Sequence, residues 1–255
     1  MSRTITFRDR EFKGSRLRCL LATHCSREKV ARFLNELAGD TGFVSVADEW
    51  YPKGFLWPDE ARLDKAEFKL LDCNKKMTDL KEWWLKNHKG ANTPNWDIVS
   101  TCLVEGVKGL LLVEAKAHCG ELKDDYCKAP KNKENYKHIG KALLEASKGW
   151  DQFENGFHLG ADNWYQLSNR FAFAWKLATM GIPAILVYLG FLNADEMEGQ
   201  EILRNTDQWR SCVHEKSKAI VPVGVWDQTF HVNGTPLSVL IRTADVQIEI
   251  GKVGR

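Results

Sequence analysis

The chain has 255 residues, 44% of them hydrophobic and 27% charged, with a formal net charge of +2. That composition excludes a fibrous or disordered protein, and the length supplies ample material for a buried core. With so little net charge there is no global basic field, so any site for a polyanion has to come from local clustering of cations.

Residues 1–10 are polar and lack the apolar stretch of a secretory leader. Residues 26–37 (SREKVARFLNEL) place apolar side chains at 30, 33, 34 and 37, which predicts a helix behind Ser26 that closes at Gly39. The aromatic, Pro- and Gly-rich run 49–60 (EWYPKGFLWPDE) reads as a loop. From about 59 to 86 the spacing is helical again, with a break near Cys73-Asn74.

The period then changes. Residues 95–105 (NWDIVSTCLVE) are β-branched and roughly alternating, Gly106-Val107-Lys108-Gly109 predicts a turn, and 110–116 (LLLVEAK) is an apolar run ending in charge. Together they predict a hairpin whose second strand is buried on both faces. Residues 120–160 are polar and lysine-rich, with a helix expected near 136–149.

A further helix is expected over 162–179, capped by Asp162 and stopped at Gly181-Ile182-Pro183. Residues 184–192 (AILVYLGFL) predict a buried strand, and the apolar stretch around it is too short to cross a bilayer. Residues 195–217 are partly helical. Asn233-Gly234 signals a hairpin in the tail, which makes the triplet Asn233-Gly234-Thr235 a turn rather than a glycosylation site.

The order helix, hairpin, helix, strand describes a mixed α/β core at roughly 60–192. We read a single domain over 1–255, with an N-terminal helical extension at 1–59 and a helix plus strands at 193–255. The seven cysteines are odd in number and contain no C-x-x-C pair, which predicts reduced thiols and a cytoplasmic setting. Phosphate-loop, dinucleotide, serine-hydrolase and zincin motifs are all missing.

Chemistry concentrates where the apolar hairpin acquires charge. Glu114 and Lys116 lie two apart on a predicted strand, so both project from one face, while Ala115 points away and offers its carbonyl at the edge. An antiparallel partner turning at 106–109 sets residue 97 opposite roughly 118 and brings Asp97 beside the pair. Two carboxylates and a carbonyl are hard oxygen donors of the kind Mg²⁺ or Mn²⁺ accepts. Lys116 beside them could position a water and offset charge at a phosphoryl group. Glu-x-Lys occurs four times, also at Glu11–Lys13, Glu67–Lys69 and Glu121–Lys123, so the strand context and Asp97 carry the assignment. An ordinary salt bridge at a strand end is the bland alternative.

The run NWDIVSTC followed by GLLLVEAKAH resembles the core of the PD-(D/E)XK, or restriction-endonuclease-like, superfamily. The resemblance covers roughly 60–192 and implies a helix, a three-stranded meander, a second helix and a further strand. It implies metal ligation by Asp97, Glu114 and the Ala115 carbonyl, and a catalytic role for Lys116. Trp96 stands where the superfamily motif often has proline. The resemblance also implies a glutamate on the first helix, for which Glu67 is preferred over Glu60, and polar groups on the second. There Gln166, Asn169 and Arg170 form one row at i, i+3 and i+4, with Gln166 assigned to catalysis and the other two to substrate.

His118 shares the strand face and could bind phosphate or merely finish the strand; Glu121 is a further metal candidate. As a zinc site, His118, Cys119, Cys127 and His138 are irregularly spaced. The lysine-rich segment 123–141, with Tyr126 and Tyr136, could contact nucleic acid or be a solvated face. The resemblance implies a Mg²⁺-dependent nuclease with DNA ahead of RNA; double-strand cutting would need two sites, as in a homodimer, or two passes. The alternatives are a catalytically silent binding module of the same fold and a hydrolase of a small phosphorylated substrate.

Overall fold

The computed structural model describes residues 13–65, 74–87, 91–123, 125–127 and 133–248. Two helices come first, α1 (Gly14–Thr23) and α2 (Arg27–Ala38), followed by the short strand β1 (Trp50–Tyr51) and α3 (Asn74–Trp84). The hairpin β2 (Ile98–Val104) and β3 (Val107–Lys116) precedes α4 (Lys133–Trp150), α5 (Tyr165–Thr179) and β4 (Ala184–Phe191). The chain then forms α6 (Thr206–Ser217) and a second hairpin, β5 (Gln228–Val232) and β6 (Thr235–Ala244).

The strands make one mixed sheet in the order β1-β2-β3-β4-β6-β5. β1, β2 and β3 are antiparallel neighbours, β4 runs parallel to both β3 and β6, and β5 returns antiparallel on β6. The mixed α/β class is therefore as expected, and the sheet reaches beyond 60–192 at both ends. Among the described residues no helix is long and apolar enough to cross a membrane.

Helices cover both faces, which is why β3 and β4 read as unbroken apolar runs rather than alternating ones. Leu111, Val113 and Ala115 pack in one core with Val30, Leu34 and Leu37 of α2. Leu110 and Leu112 face the other core, with Leu143 of α4 and Leu167 and Phe171 of α5. Glu114 and Lys116 continue this second face.

The hairpin register corrects an expectation. Val104 pairs Val107 and Ile98 pairs Val113, so the next step sets Asp97 opposite Glu114 rather than near 118. The turn is the two-residue Glu105-Gly106, both at positive φ (49° and 78°), a geometry whose twist suits a hairpin and which glycine tolerates best. Gly109, expected in the turn, lies inside β3, where an added Cβ would come within 2.5 Å of the Pro183 carbonyl.

Other expectations also shift. Helix α2 lies as predicted behind Ser26, although that side chain makes no cap hydrogen bond. Of the helix expected over 59–86, Asn74–Trp84 is helical and 66–73 lie outside the described residues, while at its expected start Ala61 pairs as a bridge with Trp96 instead. Asp162 does not cap α5. It accepts a hydrogen bond from the Tyr136 hydroxyl, while Asp125 receives the Gln166 N–H at 3.0 Å and caps the helix from a distant loop. Cys119 and Cys212 form a disulfide across 93 residues, which corrects the expectation of reduced thiols and removes its argument for a cytoplasmic setting.

Candidate active site

Asp97, Glu114 and Lys116 come together where β2 begins and β3 ends. Asp97 Oδ2 accepts the Ala115 N–H at 2.7 Å, so the carboxylate replaces the main-chain partner that β2 no longer supplies. In a strand a residue's N–H and C=O leave by the same edge, so the Ala115 carbonyl is directed toward Asp97 as well. Glu114 is 1% exposed and would be costly there without partners. One of its oxygens accepts from Lys116 Nζ and the other from Arg170 Nε at 2.6 Å.

These contacts set the protonation pattern. Burial pushes the Asp97 carboxyl up, Glu114 and Glu60 add their negative charge, and it is raised to about 8 against the opposing pull of Lys116 and the Ala115 N–H. Burial acts on Glu114 in the same direction, but Arg170 and Lys116 outweigh it and hold Glu114 below its ordinary value. Lys116 stays charged: desolvation lowers it, while Glu114 and Asp97 more than offset that. The site thus has one settled carboxylate and one carboxyl short of a cation.

The α5 row stands over this group. Lys116 Nζ donates to Gln166 Oε1 at 3.0 Å, and Arg170 donates to Asn169 Oδ1 at 2.7 Å and to the Asn95 carbonyl at 2.6 Å. Lysine and arginine can only donate, so both amide oxygens are fixed toward them. The two NH₂ groups are thereby turned the other way, and neither donates a hydrogen bond among the described residues. The Arg170 guanidinium also lies over the Trp96 ring, 4.5 Å from its centroid. Trp96 at the position often held by proline therefore braces an arginine. Arg170, assigned from sequence to substrate, is 4% exposed and committed to Glu114.

An open cavity of about 590 Å³ adjoins the group, with Asp97, Gln166, Asn169 and Arg170 in its wall. Asn92, Asn95, Asp125 and Tyr165 complete much of the lining and were not singled out from sequence, although Asn92-Thr93-Pro94-Asn95 just before Asp97 carries a turn signal; Tyr126, named from sequence as a possible nucleic-acid contact, lines it too. Glu60 also lines it, bonded to Arg16 at 2.7 Å and to Asn95 Nδ2 at 3.1 Å. The preferred Glu67 lies outside the described residues. His118 is 7% exposed, 3.6 Å from Glu121, and stands outside the cavity lining. Glu121 is occupied by the Ala117 N–H and the Ser15 hydroxyl. Of the irregular zinc candidates, Cys119 is in the disulfide and His138 bonds the Glu82 carbonyl.

The chain matches no family model, no curated protein and no solved structure. Its function has to be argued from these residues.

The donor set available to a divalent cation is Asp97, Glu114 and the Ala115 carbonyl. All are hard oxygens, and the raised Asp97 carboxyl is what a nearby cation would ionise, so the residues suit Mg²⁺ or Mn²⁺ in kind. Among the described residues no group of three or more His, Cys, Asp and Glu side chains could hold a metal. Each Glu114 oxygen already accepts from one cationic side chain, which leaves one lone pair on each oxygen for a metal.

Proposed function

We propose that this chain is a metal-dependent phosphodiesterase acting on nucleic acid, built on a restriction-endonuclease-like core. The observation that carries the reading is the buried Lys116 ammonium, held between Glu114 and Gln166 and flanked by the raised Asp97 carboxyl at a cavity wall. The antiparallel neighbours β1, β2 and β3, with α3 inserted in the chain between β1 and β2, followed by helices and the parallel β4, support the fold part of the reading. DNA ranks ahead of RNA on the resemblance alone.

Bound by Asp97, Glu114 and the Ala115 carbonyl, Mg²⁺ or Mn²⁺ would supply Lewis acidity toward a phosphoryl oxygen and a water. Lys116 contributes a fixed positive charge where negative charge develops on the phosphoryl group. The NH₂ groups of Gln166 and Asn169 are free to donate to substrate oxygens, because their carbonyl ends are pinned by Lys116 and Arg170. Arg170 keeps Glu114 ionised and in position.

A binding module without turnover is the competing reading, favoured by the lack, among the described residues, of a group of three or more His, Cys, Asp and Glu side chains that could hold a metal. Cleavage of labelled single-stranded DNA, duplex DNA and RNA in Mg²⁺ or Mn²⁺ separates the two. Wild type should cut at least one substrate while Lys116→Ala and Asp97→Ala do not. Equal inertness of all three proteins, with nucleic-acid binding retained, would establish the silent module.

A further inference from the structure

Helix α4 gathers its four lysines on one side. Taking about 100° per residue, Lys133, Lys137, Lys141 and Lys148 fall within an arc of about 80° that runs about 22 Å along the helix. All four are exposed, and none makes an ion pair among the described residues. The opposite face of the helix is buried through Asn135, Ile139, Ala142, Leu143 and Ala146, so the lysines occupy the centre of the solvent side.

The two glutamates of α4 do not neutralise this row. Glu134 accepts from Asn87 Nδ2 at 2.6 Å, and Glu145 accepts from Trp83 Nε1 at 2.9 Å and Lys176 Nζ at 3.1 Å. Both are thus drawn toward neighbouring elements. A chain with a net charge of only +2 therefore carries on one helix a lysine row that makes no ion pair among the described residues.

The row also begins on a turn that is tied to the segment leading into α5. Asn135 exchanges hydrogen bonds with the Asn87 main chain at 2.7 and 2.8 Å, and the Tyr136 hydroxyl donates to Asp162, three residues before α5. The first turn of α4 is therefore fastened near the start of the helix that carries Gln166 and Asn169.

We propose that the α4 row of Lys133, Lys137, Lys141 and Lys148 is a track for the phosphodiester backbone of the nucleic acid whose cleavage site lies at Asp97, Glu114 and Lys116. This rests on the nuclease reading for the identity of its partner. Lysines spaced four residues apart rise about 6 Å per step, so the row is long enough to meet several successive phosphates of one strand. Contacts of this kind hold the backbone without reading its sequence.

The test is equilibrium binding of a fluorescent oligonucleotide in EDTA, so that no cleavage intervenes, over a salt series. Wild type is compared with a variant carrying Lys133→Gln, Lys137→Gln, Lys141→Gln and Lys148→Gln. A control neutralises Lys29, Lys108, Lys216 and Lys218, which are exposed elsewhere and give the same change in net charge. Thermal denaturation verifies that all three are folded. The row variant should bind at least about tenfold more weakly at moderate salt, and its slope of log K against log salt should flatten by about 3 to 4.

The control should retain the wild-type slope. Parallel arms with single-stranded DNA, duplex DNA and RNA identify which backbone is held. An unchanged slope in the row variant overturns the proposal, as does equal weakening in the control, or a wild-type chain that binds no nucleic acid. Hydrolysis of bis(p-nitrophenyl) phosphate tests the catalytic reading separately. Its absence beside row-dependent binding would remove the nuclease and leave the track; its presence with no effect of the row variant would do the reverse.

Discussion

Among the described residues two arginines, Arg18 and Arg170, are buried against glutamates, and only one of these pairs belongs to a candidate site. Arg18 is 1% exposed and grips Glu196 with both NH groups, one to each carboxylate oxygen, while the Gly14 N–H adds a further bond at 3.0 Å. That pair is one cation to one anion. Arg170 instead reaches only one oxygen of Glu114, Lys116 takes the other, and the Asp97 carboxyl crowds in from β2. The difference shows that a buried ion pair alone says little about function. What marks a site is a group left wanting: an acid short of a cation, and two amides with idle donors at a cavity.

The sharpest way to break the comparison is to replace each pair by apolar residues of similar size. At the site, Arg170→Met with Glu114→Leu strands the Lys116 ammonium without its main partner. Denaturant unfolding should show a loss of about 3–5 kcal/mol, and hydrolysis should vanish. Next in size is Lys116→Ala, which removes the charge but leaves Glu114 paired with Arg170. We expect hydrolysis to fall by about 10²–10⁴-fold, with Asp97 driven further toward its protonated form. Activity within twofold of wild type would remove Lys116 from the mechanism.

The same exchange at the other pair, Arg18→Met with Glu196→Leu, should be far milder. Swapping a satisfied buried pair for apolar groups is often neutral or stabilising, because two desolvation costs disappear together. Stability should change by less than about 2 kcal/mol, and hydrolysis per folded molecule should hold. A loss of activity there would mean that α1 matters to the site beyond its contacts from Ser15 and Arg16.

Much of the site was legible in the sequence because it breaks a local rule. Glu114 and Lys116 end a run that is otherwise apolar at both parities, and Asp97 opens the neighbouring strand. What stayed hidden depends on distance along the chain. The grip of Arg170 on Glu114 spans 56 residues, and the cap that Asp125 places on α5 spans 41. The Cys119–Cys212 bond spans 93. Spacing rules do not reach that far. β1 went unread because two residues show no period, and α1 because its arginines interrupt a short apolar pattern. The register slipped because Gly109 was taken as a turn residue, whereas it serves the close approach to Pro183.

The smallest expected effect is the most diagnostic, because the site adds, to the glutamate response that both clusters share, a second response of opposite sign from Asp97. Burial disfavours the Glu196 carboxylate, but hydrogen bonds from Arg18 and Gly14 outweigh it and hold the group below its ordinary 4.5. The stability it contributes is present above that value and is lost as pH falls through the lowered one. Glu114 behaves likewise. Asp97 runs the other way, since the folded chain holds its proton up to about 8 while the unfolded chain releases it near 3.8. Its contribution is complete below about pH 4 and disappears as pH rises through about 8. In metal-free buffer the melting temperature should therefore sag between pH 5 and 8, and Asp97→Asn should flatten that sag without touching the acid limb. Mg²⁺ or Mn²⁺ added near pH 8 should raise the melting temperature of wild type and leave Asp97→Asn nearly unmoved, because a cation gains most from the carboxylate that protein charges leave unserved. If Asp97→Asn keeps the wild-type sag, the crowded cluster titrates no differently from the satisfied one, and the contrast between the two pairs collapses.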